Sequence, residues 1–223
     1  MSGAIAILAK TPGLTPAKTR LAATLGTEAA EAFYRLALDA VEAAVTGFLA
    51  HHPAWRAVWA LAEGEGIDHR RWQRLGAVPS GEGGLGRRMA HVYERFRAAH
   101  GGAILIGTDA PQMTSRHLAA AVAALATADF VIGPASDGGF WLIGGRRPVP
   151  PELWERPRYS GPHAREDLLT AFAGAGLPQP VPLMTLTDVD EIADLAPMIS
   201  EMPRDPAPPQ AACIAWARSH VIA

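Results

Sequence analysis

The stretch Ala4–Leu21, AIAILAKTPGLTPAKTRL, opens with six apolar residues and runs directly into a loop of Lys, Thr, Pro and Gly. Six residues are too few for a helix. An unbroken apolar run of that length is what a strand covered on both faces looks like. Similar runs follow at Ala103–Gly107 (AILIG) and Phe130–Gly133 (FVIG), each ending at a Gly, Pro or Asp cluster. Ala54–Leu61 (AWRAVWAL) reads as a fourth strand. Gly139–Gly144 (GFWLIG) is a fifth, close enough to the third to be its partner or its continuation.

Helical patterns lie between these runs. Thr27–Leu49 places Phe33, Leu36, Ala40 and Val41 on one stripe, and Gly84–Ala99 does the same with Leu85, Met89, Val92, Tyr93 and Phe96. Thr114–Ala126 and Pro162–Ala175 complete the set. Strands alternating with helices of this length predict an α/β, Rossmann-like domain with a mostly parallel central sheet flanked by helices. No composition shift divides the chain before residue 200. The expected organisation is one domain over 1–202, then a Pro-rich linker and short C-terminal helix over 203–223, with the helix at Gln210–His220.

Composition narrows the function. With 49% apolar and 19% charged residues among 223, the chain can bury a core, which excludes global disorder. Twenty basic against 22 acidic residues give a net charge of -2, so neither a nucleic-acid polycation nor a basic membrane-binding face is expected. The lone Cys213 excludes a disulfide framework and a Cys-rich zinc site. No stretch approaches the roughly 18 apolar residues of a membrane span. The first cation, Lys10, follows the apolar run instead of preceding it, the reverse of a signal peptide, so a cytoplasmic location is expected.

Four loops carry candidate chemistry. Lys10, Lys18 and Arg20 lie together in the first loop, just beyond the carboxyl end of a strand, where open α/β sheets bind ligands. Arg as a fork and Lys as a point charge suit phosphate, although a basic loop can equally be a solvated connector. The spacing is neither a Walker loop nor a dinucleotide glycine fingerprint. Gly107-Thr108-Asp109-Ala110-Pro111 releases an Asp from a buried strand; it can aim a carboxylate at Mg²⁺ or Mn²⁺, or cap a turn. Ser136-Asp137-Gly138-Gly139 can be a tight hairpin or a place where a ligand approaches the backbone. Thr187-Asp188-Val189-Asp190-Glu191 sets two carboxylates on one face of an extended segment, with a helix N-cap as the rival reading. No histidine pair has metal-ligand spacing and no Gly-x-Ser-x-Gly elbow occurs.

In this order the loops resemble a bacterial family of small nucleotide-diphospho-sugar transferase-like proteins, described as of unknown function or as glycosyltransferases of the GT-A superfamily. The resemblance rests on Ala9-Lys10-Thr11-Pro12, Lys18-Thr19-Arg20-Leu21, Gly83–Met89, Gly107–Pro111, Gly133–Gly139 and Asp188–Asp190, and spans roughly residues 4–195. It implies a single GT-A domain with nucleotide over the strand ends. Lys10, Lys18, Thr19 and Arg20 would lie at the phosphates, Arg88 at phosphate or base, and Asp137, Gly138 and Gly139 on the acceptor side. Thr108 would accompany the nucleotide. Asp109 would be the main ligand of Mg²⁺ or Mn²⁺, and Asp190 takes the place where related molybdenum-cofactor nucleotidyltransferases keep a second metal-binding residue. Thr15 replaces a usual Gly, Ala110 a frequent Cys, and Glu191-Ile192 a common Thr-Pro.

The expected function is metal-dependent transfer from an activated nucleotide, foremost glycosyl transfer from an NDP-sugar donor to a small-molecule acceptor. Asp109 and Asp137 are the candidate catalytic residues. One rival is a nucleotidyltransferase that releases pyrophosphate from an NTP, since it too must clamp a polyphosphate. The other is a non-catalytic nucleotide-binding accessory protein. A glycine-rich lid is expected around Pro79–Gly86.

Overall fold

Along β1 (Gly3–Ala9) the side chains alternate between two cores, Ile5 and Ile7 facing one and Ala4 and Ala6 the other. That is why the run is apolar throughout: neither face of this strand meets water. The computed structural model describes residues 1–221. Around β1 it arranges β2 (Trp55–Leu61), β3 (Ala77–Pro79), β4 (Ala103–Ile106), β5 (Phe130–Pro134), β6 (Phe140–Gly145) and β7 (Val181–Pro182). The sheet order is β3-β2-β1-β4-β6-β5-β7. All pairings are parallel except those of β6, which lies antiparallel between β4 and β5. The fifth run is therefore the third one's hairpin partner, not its continuation.

Helices cover both faces. On one side α2 (Thr27–Leu49) and α4 (Ser115–Leu125) contribute Leu38, Val41, Val45, Phe48, Leu118 and Leu125 to the core with Ile5 and Ile104. On the other, α3 (Leu85–His100), α5 (Pro151–Trp154) and α6 (Ala164–Gly174) contribute Met89, Tyr93, Phe96, Trp154 and Phe172. The α3 stripe is buried as expected save at its first residue: Leu85 is exposed at the mouth of the cleft described below. α1 (Thr19–Leu25), β3 and β7 were not anticipated. The first buries Leu21 alone, and the strands are three and two residues long.

A third, smaller core joins Leu21 of α1 and Phe33 of α2 to Val189, to Leu195 and Met198 of α7 (Leu195–Glu201), and to Ala217 of α8 (Pro208–Val221). Phe33 and Trp216 meet at 4.9 Å, and Cys213 is fully buried. Gln210, at the start of α8, donates from Nε2 to the carbonyls of Pro111 and Met113 at 3.2 and 3.1 Å. The described part of the C-terminal segment is thus bonded to the loop that follows Asp109. No helix among the described residues is long and apolar enough to cross a membrane.

Chain order places the site. β1, β2 and β3 extend the sheet one way, and β4 then starts on the opposite side of β1. A crevice opens where the direction reverses, outside the carboxyl ends of β1 and β4.

Candidate functional site

That crevice is a cleft of about 620 Å³. Lys10 and the Lys18–Arg20 segment reach it from the loop after β1, and Thr108 and Asp109 from the end of β4. Asp137 and Gly139 reach it from the β5–β6 turn, Arg88 from α3, and Asp190 from the segment before α7. Gly138 does not line it. Its φ of +91° and the 2.0 Å between a would-be Cβ and the Pro162 carbonyl oxygen make it the residue that lets the hairpin turn back under Pro162. Asp137 takes the turn role, Oδ1 accepting the Gly139 N–H at 2.9 Å, and it also lines the cleft.

The floor is built on one backbone bond. The Val189 N–H donates to the Asp109 carbonyl at 2.9 Å, tying the Asp188–Asp190 segment to the end of β4. Val189 is fully buried, so Asp188 and Asp190 on either side of it both line the cleft. Behind them Thr187 is anchored to α7 through Glu201. Between Asp109 and this segment sits Lys18, whose side chain is 2% exposed. Its ammonium pairs with Asp109 and donates to the Val189 carbonyl, with Asp190 Oδ1 at 3.6 Å. Arg20 completes the cluster, Nη1 lying 3.3 Å from Asp190 Oδ2 and Nη2 donating to the Ser160 carbonyl at 2.9 Å.

Electrostatics follow from this crowding. Burial works against the charge on Lys18, but Asp109, Asp188 and Asp190 together outweigh it and hold its pKa above the ordinary lysine value. Burial also pushes Asp188 well above the usual carboxylate range; Asp109 and Asp190 add to the shift and Lys18 opposes it. Asp190 is raised for the same leading reason, against Lys18 and Arg20.

At the other end Lys10 is pinned. Its N–H donates to the Tyr34 hydroxyl, which donates to the Lys10 carbonyl, both at 2.9 Å, and Lys10 Nζ donates to the Pro16 carbonyl at 2.9 Å. Arg88 donates to the carbonyls of Gly83 (2.9 Å) and Ala62 (3.3 Å).

Several cleft residues escaped the sequence reading. Asp188 was visible as one of a pair but was given no role of its own. Ser80 carries a buried hydroxyl with no protein partner, and nothing in its surroundings in sequence marks it. Tyr159 and Ser160 line the wall; Ser160, at φ +65°, is one of two described non-glycine residues in the left-handed region, Lys18 (φ +53°) being the other.

Among the described residues no group of three His, Cys, Asp or Glu side chains is arranged to hold a metal. The donor set still suits one kind of ion. Asp109 and Asp190, 37% and 36% exposed, converge on a single cationic position, and hard divalent ions bound with phosphates use only one or two protein carboxylates. Mg²⁺ or Mn²⁺ arriving with a diphosphate fits these residues; an all-protein metal cage does not.

Fold and cleft together define a single GT-A-like α/β domain. More specifically, the chain belongs to the family described as "uncharacterized protein conserved in bacteria (DUF2064)", whose pattern it matches over residues 36–161. A protein of Desulfovibrio desulfuricans G20, described as a proposed nucleotide-diphospho-sugar transferase, has a similar structure with a TM-score of 0.82. It is 22% identical, and the match covers 99% of this chain and 96% of that one. Rv0371c of Mycobacterium tuberculosis H37Rv (TM-score 0.45, 16% identity, 88% and 97% coverage) is a more distant match. So is a CMP:2-keto-3-deoxy-manno-octonic acid synthetase complexed with CTP (TM-score 0.48, 13% identity, 87% and 96% coverage). No curated protein matches the sequence.

Proposed function

We propose that the cleft binds an activated nucleotide together with Mg²⁺ or Mn²⁺ and transfers its glycosyl group to a small-molecule acceptor. The observation that carries this reading is the meeting of Lys18 and Arg20 with Asp109 and Asp190 at the reversal point of the sheet. A diphosphate would use both halves of that set: cations for its oxygens and carboxylates that would hold an accompanying divalent metal. The likeness of the whole chain to the Desulfovibrio protein, itself described as a proposed nucleotide-diphospho-sugar transferase, supports the same class.

On this reading Asp109 and Asp190 hold the metal, which when bound supplies Lewis-acid stabilisation of charge on the leaving diphosphate. Arg20, Lys10 and Lys18 neutralise the phosphates. Arg88, fixed by two carbonyls, lines the cleft, as Ser80 does, and would meet phosphate or the nucleoside. Asp137 keeps one carboxylate oxygen for the turn and has the other to orient the acceptor hydroxyl and take its proton. The protein's own work is orientation and charge placement, with the aromatic wall of Phe140 and Tyr159 limiting water.

The test is a thermal-shift panel of NDP-sugars, NDPs and NTPs with and without Mn²⁺, on wild type and Asp109→Asn. A ligand at about 100 times its Kd adds roughly 2.7 kcal/mol of stability. The expected result is a metal-dependent shift that Asp109→Asn loses, and release of nucleoside diphosphate on turnover. Pyrophosphate release would assign nucleotidyl transfer instead, and no shift with any nucleotide would overturn both.

A further inference from the structure

Of the 20 Lys and Arg residues in the chain, only Lys10 and Lys18 are lysines, and both line the cleft. A chain that uses arginine everywhere else keeps lysine where a compact point charge is needed, since a guanidinium is a wide planar fork. Lys18 shows the need. Its ammonium is enclosed by the Asp109 carboxylate, the Val189 carbonyl and, at 3.6 Å, Asp190. Among the described residues Lys18 is the cation that bridges the two segments bearing these oxygens, Arg20 reaching Asp190 but no oxygen of Asp109. The backbone is held left-handed at φ +53° at this one residue, at the start of α1, which fixes where the side chain enters. Oxygens gathered on one small buried cation are also what a divalent ion would require, and two cations cannot share the place.

We propose that Lys18 is a tethered cation that fills the Asp109–Asp190 seat in the ligand-free protein and yields it far more readily to a divalent metal delivered on a nucleoside diphosphate than to the metal alone. The inference rests on the transferase reading above. It deepens that reading by setting an order: metal alone binds weakly, because on entering it must expel an ammonium that has no other partner. When a diphosphate accompanies the metal, its oxygens receive the displaced ammonium. Lys18 thus holds the two halves of the site together while it is empty of substrate and joins the phosphates once it is filled.

The experiment measures Mn²⁺ binding without nucleotide, by the paramagnetic resonance signal of free Mn²⁺, to wild type, Lys18→Met and Lys18→Met/Asp109→Asn. Wild-type affinity is reduced by the fraction of time the seat is free. Lys18→Met is expected to bind Mn²⁺ at least about tenfold tighter, with the gain lost in the double variant. Equal or weaker binding by Lys18→Met overturns the proposal. Should Lys18→Met not fold, wild type decides. Mutual exclusion requires that Mg²⁺ alone, at high concentration, raise the acetylation rate of Lys18 relative to Lys10; a rate independent of Mg²⁺ overturns it. A nucleotide-dependent thermal shift of wild type beside an unimproved Lys18→Met sinks the seat alone. Absence of any such shift sinks the transferase reading whatever Lys18 does.

Discussion

Glu201 holds Thr187 at two points: Oε1 accepts the Thr187 hydroxyl at 2.6 Å and Oε2 accepts its N–H at 2.8 Å. The same Oε2 takes a bond at 2.8 Å from Gln112, which is fully buried and also donates to the Thr187 carbonyl at 2.7 Å. Asp188 is the next residue, so this carboxylate on α7 sets the start of the acidic segment without lining the cleft. Glu201→Ala leaves several polar groups unpaired and should cost about 1–3 kcal/mol. A purely structural role lowers the melting temperature and leaves the nucleotide-induced shift unchanged. Positioning predicts that the shift also shrinks, and that Glu201→Gln restores part of it.

Gly86 sets two effects of opposite sign against each other. Ala in place of Gly in a helix gains about 1 kcal/mol from propensity. Here, however, a Cβ would stand 2.0 Å from the Trp154 carbonyl oxygen and 3.0 Å from the Tyr159 ring. The nearer obstacle is backbone, so α3 and α5 must part, and overpacking of this kind costs about 1–3 kcal/mol. Gly86→Ala is therefore expected to lower stability in urea melts, and a gain would show that α5 moves freely.

His117 introduces a pH dependence. Its Nδ1 accepts the Thr114 N–H at 2.9 Å at the start of α4, so protonating that nitrogen breaks the bond. Burial lowers its pKa below the ordinary 6.5, with Glu201 pulling the other way. The unfolded chain then binds this proton more readily than the native one. Stability is complete above the ordinary value and declines as pH falls through it towards the folded value. Urea melts at pH 7.5 and 5.5 should show a decline that is smaller in His117→Asn, a variant that starts about 1 kcal/mol lower for want of a good cap. An equal decline in both would remove His117 from the account.

What was legible in sequence had a physical reason to be. β1, β4 and β5 are covered on both faces, so their apolar runs are unbroken, and the carboxyl-end loops follow from them directly. β3 and β7 escaped because three and two partly exposed residues carry no periodicity. α1 carries no helical signal in sequence because it buries only Leu21 and its cap, Lys18, offers no side-chain bond. Lys10, Lys18, Arg20 and Asp109 stand out as charges just after a buried strand, whereas Asp190 is singled out by the family resemblance. That Lys18 lies against Asp109 instead of facing open solvent could not be seen, since it depends on a fold contact and on one left-handed residue. Glu201 acts through partners distant in sequence and the Ser80 hydroxyl has no protein partner, so neither leaves a local pattern.

Lys18 and the Val189 carbonyl it bonds are 171 residues apart. Contacts of such separation close late, because most of the chain must be ordered before they form. On the ribosome Lys18 emerges 171 residues before Val189, so the first loop waits that long for the acidic segment to follow. A chain halted before Glu201 would contain β1 to β7 and the basic loop, yet lack the anchor that places Asp188 and Asp190. The cluster of Lys18 with Asp109 and Asp190 is thus complete only after Glu201 has been made and can anchor Thr187.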